Sequence, residues 1–201
     1  MNTAKRITGW LIERGAIRSE DEELYIFAIC NTFLTFVPMI SVMFLAYIMG
    51  SLVEGITLVI PFLTIRKFSG GFHFDSAIKC MITTVALLIL LLLFTIRITL
   101  ITVFDISILL AGISLSINSP IDSEARRLDE EEKVHFKKTA CIISVIYISI
   151  YFTLRAVNVI SGYSLPMRIA KSIASGMILG ALLQLPVLIA GFLHSGRADT
   201  E

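Results

Sequence analysis

Apolar residues along this chain fall into long runs and do not alternate with polar ones, and the runs lie at about 24–49, 52–65, 76–96, 98–117, 139–160 and 167–193. Crossing roughly 30 Å of hydrocarbon takes ~20 helical residues, so most of these runs are long enough to span a membrane. Helices satisfy their own backbone hydrogen bonds in lipid, which makes them the expected spans. The predicted fold is therefore all-α: a polytopic membrane helical bundle of about six transmembrane helices. The second run is short and contains Pro61, so it reads as tilted, kinked or supported by protein on several sides. The third and fourth are nearly continuous, with Arg97 marking the turn between them.

Residues 1–23 precede the first run and mix Lys5, Arg6, Arg14 and Arg18 with five acids, without the apolar core of a cleavable signal peptide. Ile7, Trp10, Leu11 and Ile17 recur at roughly helical spacing. An amphipathic helix lying in the membrane interface fits this pattern, and a solvated amphipathic arm fits it equally. The expected organisation is an N-terminal amphipathic segment at 1–23, a six-span domain at 24–194 and a polar tail at 195–201.

Composition agrees: 56% of residues are hydrophobic, 16% are charged and the mean hydropathy is +0.84. A soluble domain of 201 residues has no way to hide that much apolar surface. The distribution of cations gives an orientation. With both termini in the cytosol, thirteen basic residues fall inside, against Arg97, Arg155, Arg168 and Lys171 outside, and both ends share a side only if the number of spans is even. The protein is thus expected in a bacterial cell membrane, with the polar connections 66–75 and 118–138 facing the cytosol. A net charge of +1 leaves no footprint for nucleic acid. No phosphate-binding loop or metal motif is present in the sequence, so neither a metal nor another cofactor is expected.

Chemistry concentrates in the connection before the third span, Arg66-Lys67-Phe68-Ser69-Gly70-Gly71-Phe72-His73-Phe74-Asp75-Ser76, which runs into Ala77-Ile78-Lys79-Cys80. Asp75 is placed to cap the third span, leaving Cys80 within its first turns, near the positive end of the helix dipole and beside Lys79. Both features favour a thiolate. Cys30 and Cys141 are explained by ordinary helix packing, and a reducing cytosol opposes disulfides among the three.

Seven residues separate His73 from Cys80, which on a continuous helix is ~10.5 Å of rise and too far for a direct hydrogen bond. The pair works only if His73 lies outside the helix and folds back over it. Gly70-Gly71 and an Asp75 cap would permit that, predicting a broken or re-entrant segment around 68–75. His135 and Cys141 are six apart, about 120° from each other on a helix, and His135 sits in a mixed-charge stretch typical of a solvated amphipathic helix. His194 marks the end of the last span.

The run Arg66-Lys67-x3-Gly71-x-His73-x6-Cys80 resembles the signature of the accessory gene regulator protein B (AgrB) family, membrane endopeptidases that mature bacterial quorum-sensing peptides. Six spans in about 200 residues, and the connection from Ser119-Pro120 through Leu128, Glu131, Glu132 and Lys133 to Lys137-Lys138, extend the resemblance over nearly the whole chain. Phe74-Asp75 departs from it, since family members often carry a small residue after the histidine. The resemblance implies a cysteine endopeptidase with Cys80 as nucleophile and His73 as general base. Its partner would be the propeptide of an autoinducing signal, cut through a thioester and closed into a thiolactone or lactone.

Arg66 and Lys67 flank this site and are the candidates for binding an acidic peptide tail; the other inside cations are explained as anchors to anionic lipid. Asn31 and Gln184 are polar residues within spans, available as an oxyanion donor or as a partner for His73, although an amide there more often bonds a neighbouring helix. Snorkelling to the outer interface accounts for Arg155 and Asn158. Ser172, Ser175, Gly176, Gly180 and Ala181 predict close helix packing or self-association, and the resemblance is compatible with a homodimer. The alternative function is a small peptide transporter or exporter accessory protein in which Cys80 is incidental. A zinc-binding sensor built on His73 and the cysteines is a further alternative.

Overall fold

The computed structural model describes residues 2–70, 77–121 and 129–189, and within them the chain is almost entirely helical. The helices are α1 (Asn2–Glu13), α2 (Glu22–Ile48), α3 (Leu52–Ser69), α4 (Ala77–Arg97), α5 (Ile101–Asn118), α6 (Glu130–Ser161) and α7 (Ser164–Leu182). Each of the six apolar runs falls on its own helix, α2 to α7. Five stretches are long and apolar enough to cross a membrane: Ser19–Ile48, Ile78–Arg97, Ile101–Asn118, Glu130–Ser161 and Ser164–Ile189.

α3 stands apart from those five because its 18 residues include Glu54, Arg66 and Lys67. Protein surrounds it: α3 packs on α2, α4, α6 and α7, burying Glu54, Gly55, Leu58, Val59, Pro61, Phe62, Ile65 and Ser69. The short second run is thus supported by its neighbours on several sides.

The other centre of the bundle is α7, which contacts α3, α4, α5 and α6. Its apolar window is 56% buried, against 12–28% for the other four crossing stretches. Small side chains allow this. An ideal Cβ on Gly176 would lie 2.3 Å from the carbonyl oxygen of Leu58, and one on Gly180 would lie 2.9 Å from Ile65 Cγ2. Backbones therefore approach as closely as van der Waals contact permits, which is what drives helix association where water supplies no hydrophobic force. Ser172 and Ser175 are fully buried on this helix. The small-residue face is consequently occupied within the chain.

Two apolar cores flank this axis. One joins Val42, Ala46, Leu58, Val59, Phe62, Leu88, Leu92 and Leu179; the other joins Ile65, Phe104, Ile108, Leu115, Tyr151, Ala174 and Met177. α1 packs against α2, with Ala4 and Thr8 buried while Trp10 stays 50% exposed under the Arg14 guanidinium, 4.4 Å from its ring centroid. This amphipathic helix matches the expected N-terminal element.

The end of the bundle holding the 48–52, 97–101 and 161–164 connections is polar inside. Arg168 pairs with Glu54. Lys171 Nζ donates to the carbonyl oxygens of Thr95 (2.9 Å) and Ile98 (3.0 Å), satisfying acceptors that the end of α4 leaves open. Arg155 does not simply snorkel: its guanidinium lies 2.9 Å from Asp105 Oδ2, and the buried Tyr151 hydroxyl donates to Asp105 Oδ1 at 2.7 Å. An intramembrane carboxylate requires such partners, and they come from α6. Asn158 is likewise engaged, its Nδ2 donating to Tyr163 O at 2.6 Å. Tyr151→Phe removes one bond to a charged acceptor and is expected to cost about 1–2 kcal/mol. Thermal unfolding in detergent should register this as a Tm lowered by several degrees, and an unchanged Tm would show that the bond contributes nothing to the fold.

Candidate functional site

The opposite end of the bundle gathers the ends of α3, α5 and α7 and the starts of α4 and α6. α3 closes at Ser69, where a helix leaves its last carbonyls without partners. Two other elements fill the Ser69 carbonyl: the Ile121 amide, at 2.9 Å, and the Gln184 side-chain Nε2, at 3.3 Å. Gly70 and Ile121 form an isolated parallel β-bridge, so the chain just beyond α3 runs beside the chain just beyond α5. A T-shaped contact between Phe68 and Phe136, 5.7 Å between centroids, adds the start of α6.

Gly70 is the break in the helix. Its backbone, at φ 67 and ψ −155, occupies a region open essentially only to glycine. A Cβ there would lie 2.3 Å from Ile121 O, a backbone atom with little freedom to move away. Gly70→Ala therefore meets both a conformational and a steric penalty, and any relief must pull the bridge apart. A Tm lowered by several degrees in detergent is expected, and a wild-type Tm would show that the bridge is dispensable.

Of the sequence-derived candidates, Cys80 lies on α4, three residues after Ala77 where the described helix begins. It is a half-buried free thiol, and its carbonyl accepts from Thr84 Oγ1 at 2.8 Å. Arg66 lies one turn before the end of α3, within electrostatic range of Cys80. Burial pushes the Arg66 guanidinium below its ordinary pKa, and the influence of Cys80 acts in the opposite direction. Lys67 is exposed and turns elsewhere, its ammonium 5.4 Å from the Phe68 ring centroid.

His73 and the proposed Asp75 cap lie outside the described residues, as do His194, Arg126 and Arg127 and the side chain of Asn31. Cys30 and Cys141 are free, half-buried thiols. His135 is exposed on the first turns of α6, which continues without interruption to Ser161, so the mixed-charge stretch and the fifth span are one helix. Among the described residues, no three His, Cys, Asp or Glu side chains converge where a metal ion would sit.

Sequence reasoning named Gln184 as a polar side chain available as an oxyanion donor or a partner for His73, and missed its bonds to Ser69 and Ser119. Gln184 is fully buried where α7 breaks, at the turn before a further helical stretch over 185–189. Pro186 explains the break, since it lacks an N–H and disfavours helical backbone at the residue before it. An amide two residues before a proline inside an apolar span was the available signal. Ser119 and Ile121 carried no such mark.

The family model for accessory gene regulator B (AgrB) matches residues 4–188, from α1 to beyond the α7 break. No curated protein and no solved structure matches the chain. With a match over nearly its whole length, carried on a membrane helical bundle, the chain belongs to the AgrB family and takes part in quorum-sensing peptide processing.

Proposed function

We propose that this protein is a cysteine endopeptidase that removes the C-terminal tail of an autoinducing propeptide and promotes closure of the remaining segment into a ring. The observation carrying this reading is a free, half-buried thiol at Cys80, near the start of α4, in a chain of the AgrB family, with Arg66 in electrostatic range.

In this mechanism His73 takes the Cys80 proton. The Cys80 sulfur attacks the scissile carbonyl, and the collapsing tetrahedral intermediate breaks the C–N bond. His73 returns the proton to the departing amine, leaving the propeptide as a thioester on Cys80. An internal cysteine or serine of the propeptide then attacks that carbonyl, releasing the Cys80 thiolate and forming a thiolactone or lactone. Exchanging one thioester for another conserves the activated bond, so the thiolactone step needs no nucleotide. Arg66 and Lys67 attract the acidic tail, with Arg66 the closer to the chemistry.

The orientation follows from charge. Thirteen basic residues belong to the set assigned to the site's side and four to the other, and three of those four, Arg155, Arg168 and Lys171, are engaged inside the bundle. A cytosolic site and cytosolic termini agree with that imbalance. The propeptide then arrives from the compartment in which it is made.

The direct test is mass spectrometry of the protein in proteoliposomes with its cognate propeptide, following tail release, ring formation and the mass of the Cys80 peptide. A Cys80 adduct equal to the propeptide less its tail supports the mechanism. Tail release with Cys80 never acylated would overturn the cysteine mechanism, and binding of the propeptide by folded protein without tail release would favour a noncovalent peptide-binding role.

A further inference from the structure

We propose that Gln184 is a positioning residue for this reaction, fixing the end of α3, the helix that carries Arg66, against the ends of α5 and α7. The assignment rests on the cysteine peptidase reading. Gln184 Nε2 donates to the Ser69 carbonyl at 3.3 Å and to Ser119 Oγ at 3.0 Å, tying α7 to the ends of both α3 and α5. A carbonyl acceptor requires a donor, which fixes the orientation of the amide.

The arrangement is expensive as pure packing. Gln184 is 0% exposed and its Oε1 is buried without a hydrogen-bond partner, a penalty of about 1–3 kcal/mol that an apolar side chain of similar volume would avoid. What the amide provides instead is a donor at one atom, Ser69 O. Ser69 lies three residues after Arg66, on the same end of α3, and four before His73. Between Ser69 and His73 the chain passes the Gly70–Ile121 bridge, whose other anchor is the Ile121 amide on that same carbonyl. Two donors from two elements therefore converge on the last carbonyl of the helix that carries Arg66.

Buried beneath the bridge, Gln184 acts through α3 and not on the peptide. Loss of its donor should consequently lower kcat, with KM rising to the extent that Arg66 is displaced from the acidic tail. A displacement of about 1 Å in a catalytic pair costs up to about 10²-fold, which sets the expected scale at 10- to 100-fold.

The experiment compares wild type, Gln184→Met, Gln184→Glu and Cys80→Ala in proteoliposomes with the cognate propeptide, between about pH 6 and 9. Gln184→Met keeps the volume and loses the donor, so its kcat should stay low at every pH. Gln184→Glu has a donor only when protonated, and burial raises the pKa of a carboxyl. Its kcat relative to wild type should therefore rise as pH falls, a recovery that a purely space-filling role would not produce. If Gln184→Met does not yield folded protein, the pH dependence of Gln184→Glu decides alone. Wild-type kcat in Gln184→Met, or a pH-independent ratio for Gln184→Glu, with Cys80→Ala inactive, overturns the positioning role and leaves the peptidase reading intact. Cleavage surviving in Cys80→Ala overturns both.

Discussion

Cys80→Ala is expected to abolish propeptide cleavage, lowering kcat by about 10³-fold or more, while the protein keeps its Tm and its elution in detergent. The size of the effect follows from the mechanism. Without the sulfur no thioester forms, and water has no comparable route to a backbone amide. The fold should tolerate the change because the side chain is only half-buried and the hydrogen bond from Thr84 uses the backbone carbonyl, which alanine retains. His73→Ala should fall by a similar factor, and the double variant should be no worse than either single one, since nucleophile and base act as a unit. Additive losses would separate the two residues. Cleavage by Cys80→Ala at the wild-type rate would remove the cysteine mechanism altogether.

Gly176→Ala is expected to be the most damaging single methyl in the bundle, costing about 3 kcal/mol or preventing accumulation of folded protein. The added Cβ would sit 2.3 Å from Leu58 O and 3.2 Å from Phe62 N, both backbone atoms of α3, so no side chain can rotate out of its way. Relief requires α3 and α7 to separate, and each holds part of both apolar cores. Gly180→Ala provides the graded comparison. Its nearest obstacle is Ile65 Cγ2 at 2.9 Å, a side-chain atom able to shift, and a smaller loss is expected. Gly9→Ala, with nothing within 4 Å of the new Cβ, should be neutral or slightly stabilising. Melting temperatures in one detergent test the order, and Gly176→Ala melting with wild type would show that α3 and α7 are not the rigid axis of the bundle.

These two predictions draw on different sources. The Cys80 prediction was legible in the sequence, because the glycine pair, histidine and cysteine at fixed intervals interrupt an apolar pattern that otherwise demands nothing polar. The small residues of the last helix were legible as a packing face, but their partner was not. Periodicity marks which side of a helix is small; it carries no information about which of several apolar helices lies against it.

The same distinction explains Arg155. Read alone on an apolar helix, an arginine near a helix end snorkels to the interface. Asp105 sits on a different helix 50 positions earlier, and only the pairing of α5 with α6 makes them partners. Gln184 and Ser69 are 115 positions apart and became one feature through the meeting of two helix ends.

By itself the sequence determined that this is a helical membrane protein, where its helices run and its resemblance to the AgrB family, and it marked the candidate site between the second and third of the six runs. Those properties follow from local periodicity, from the cost of burying polar backbone in lipid and from short motifs, all read from neighbouring residues. The tertiary structure alone decided that α3 is enclosed by protein, that α7 is the axis of the bundle, and that Ser69 is held from two directions. Each of these depends on which apolar faces pair, and in lipid many apolar faces pair almost equally well. Close backbone approach and a few buried polar contacts make the choice.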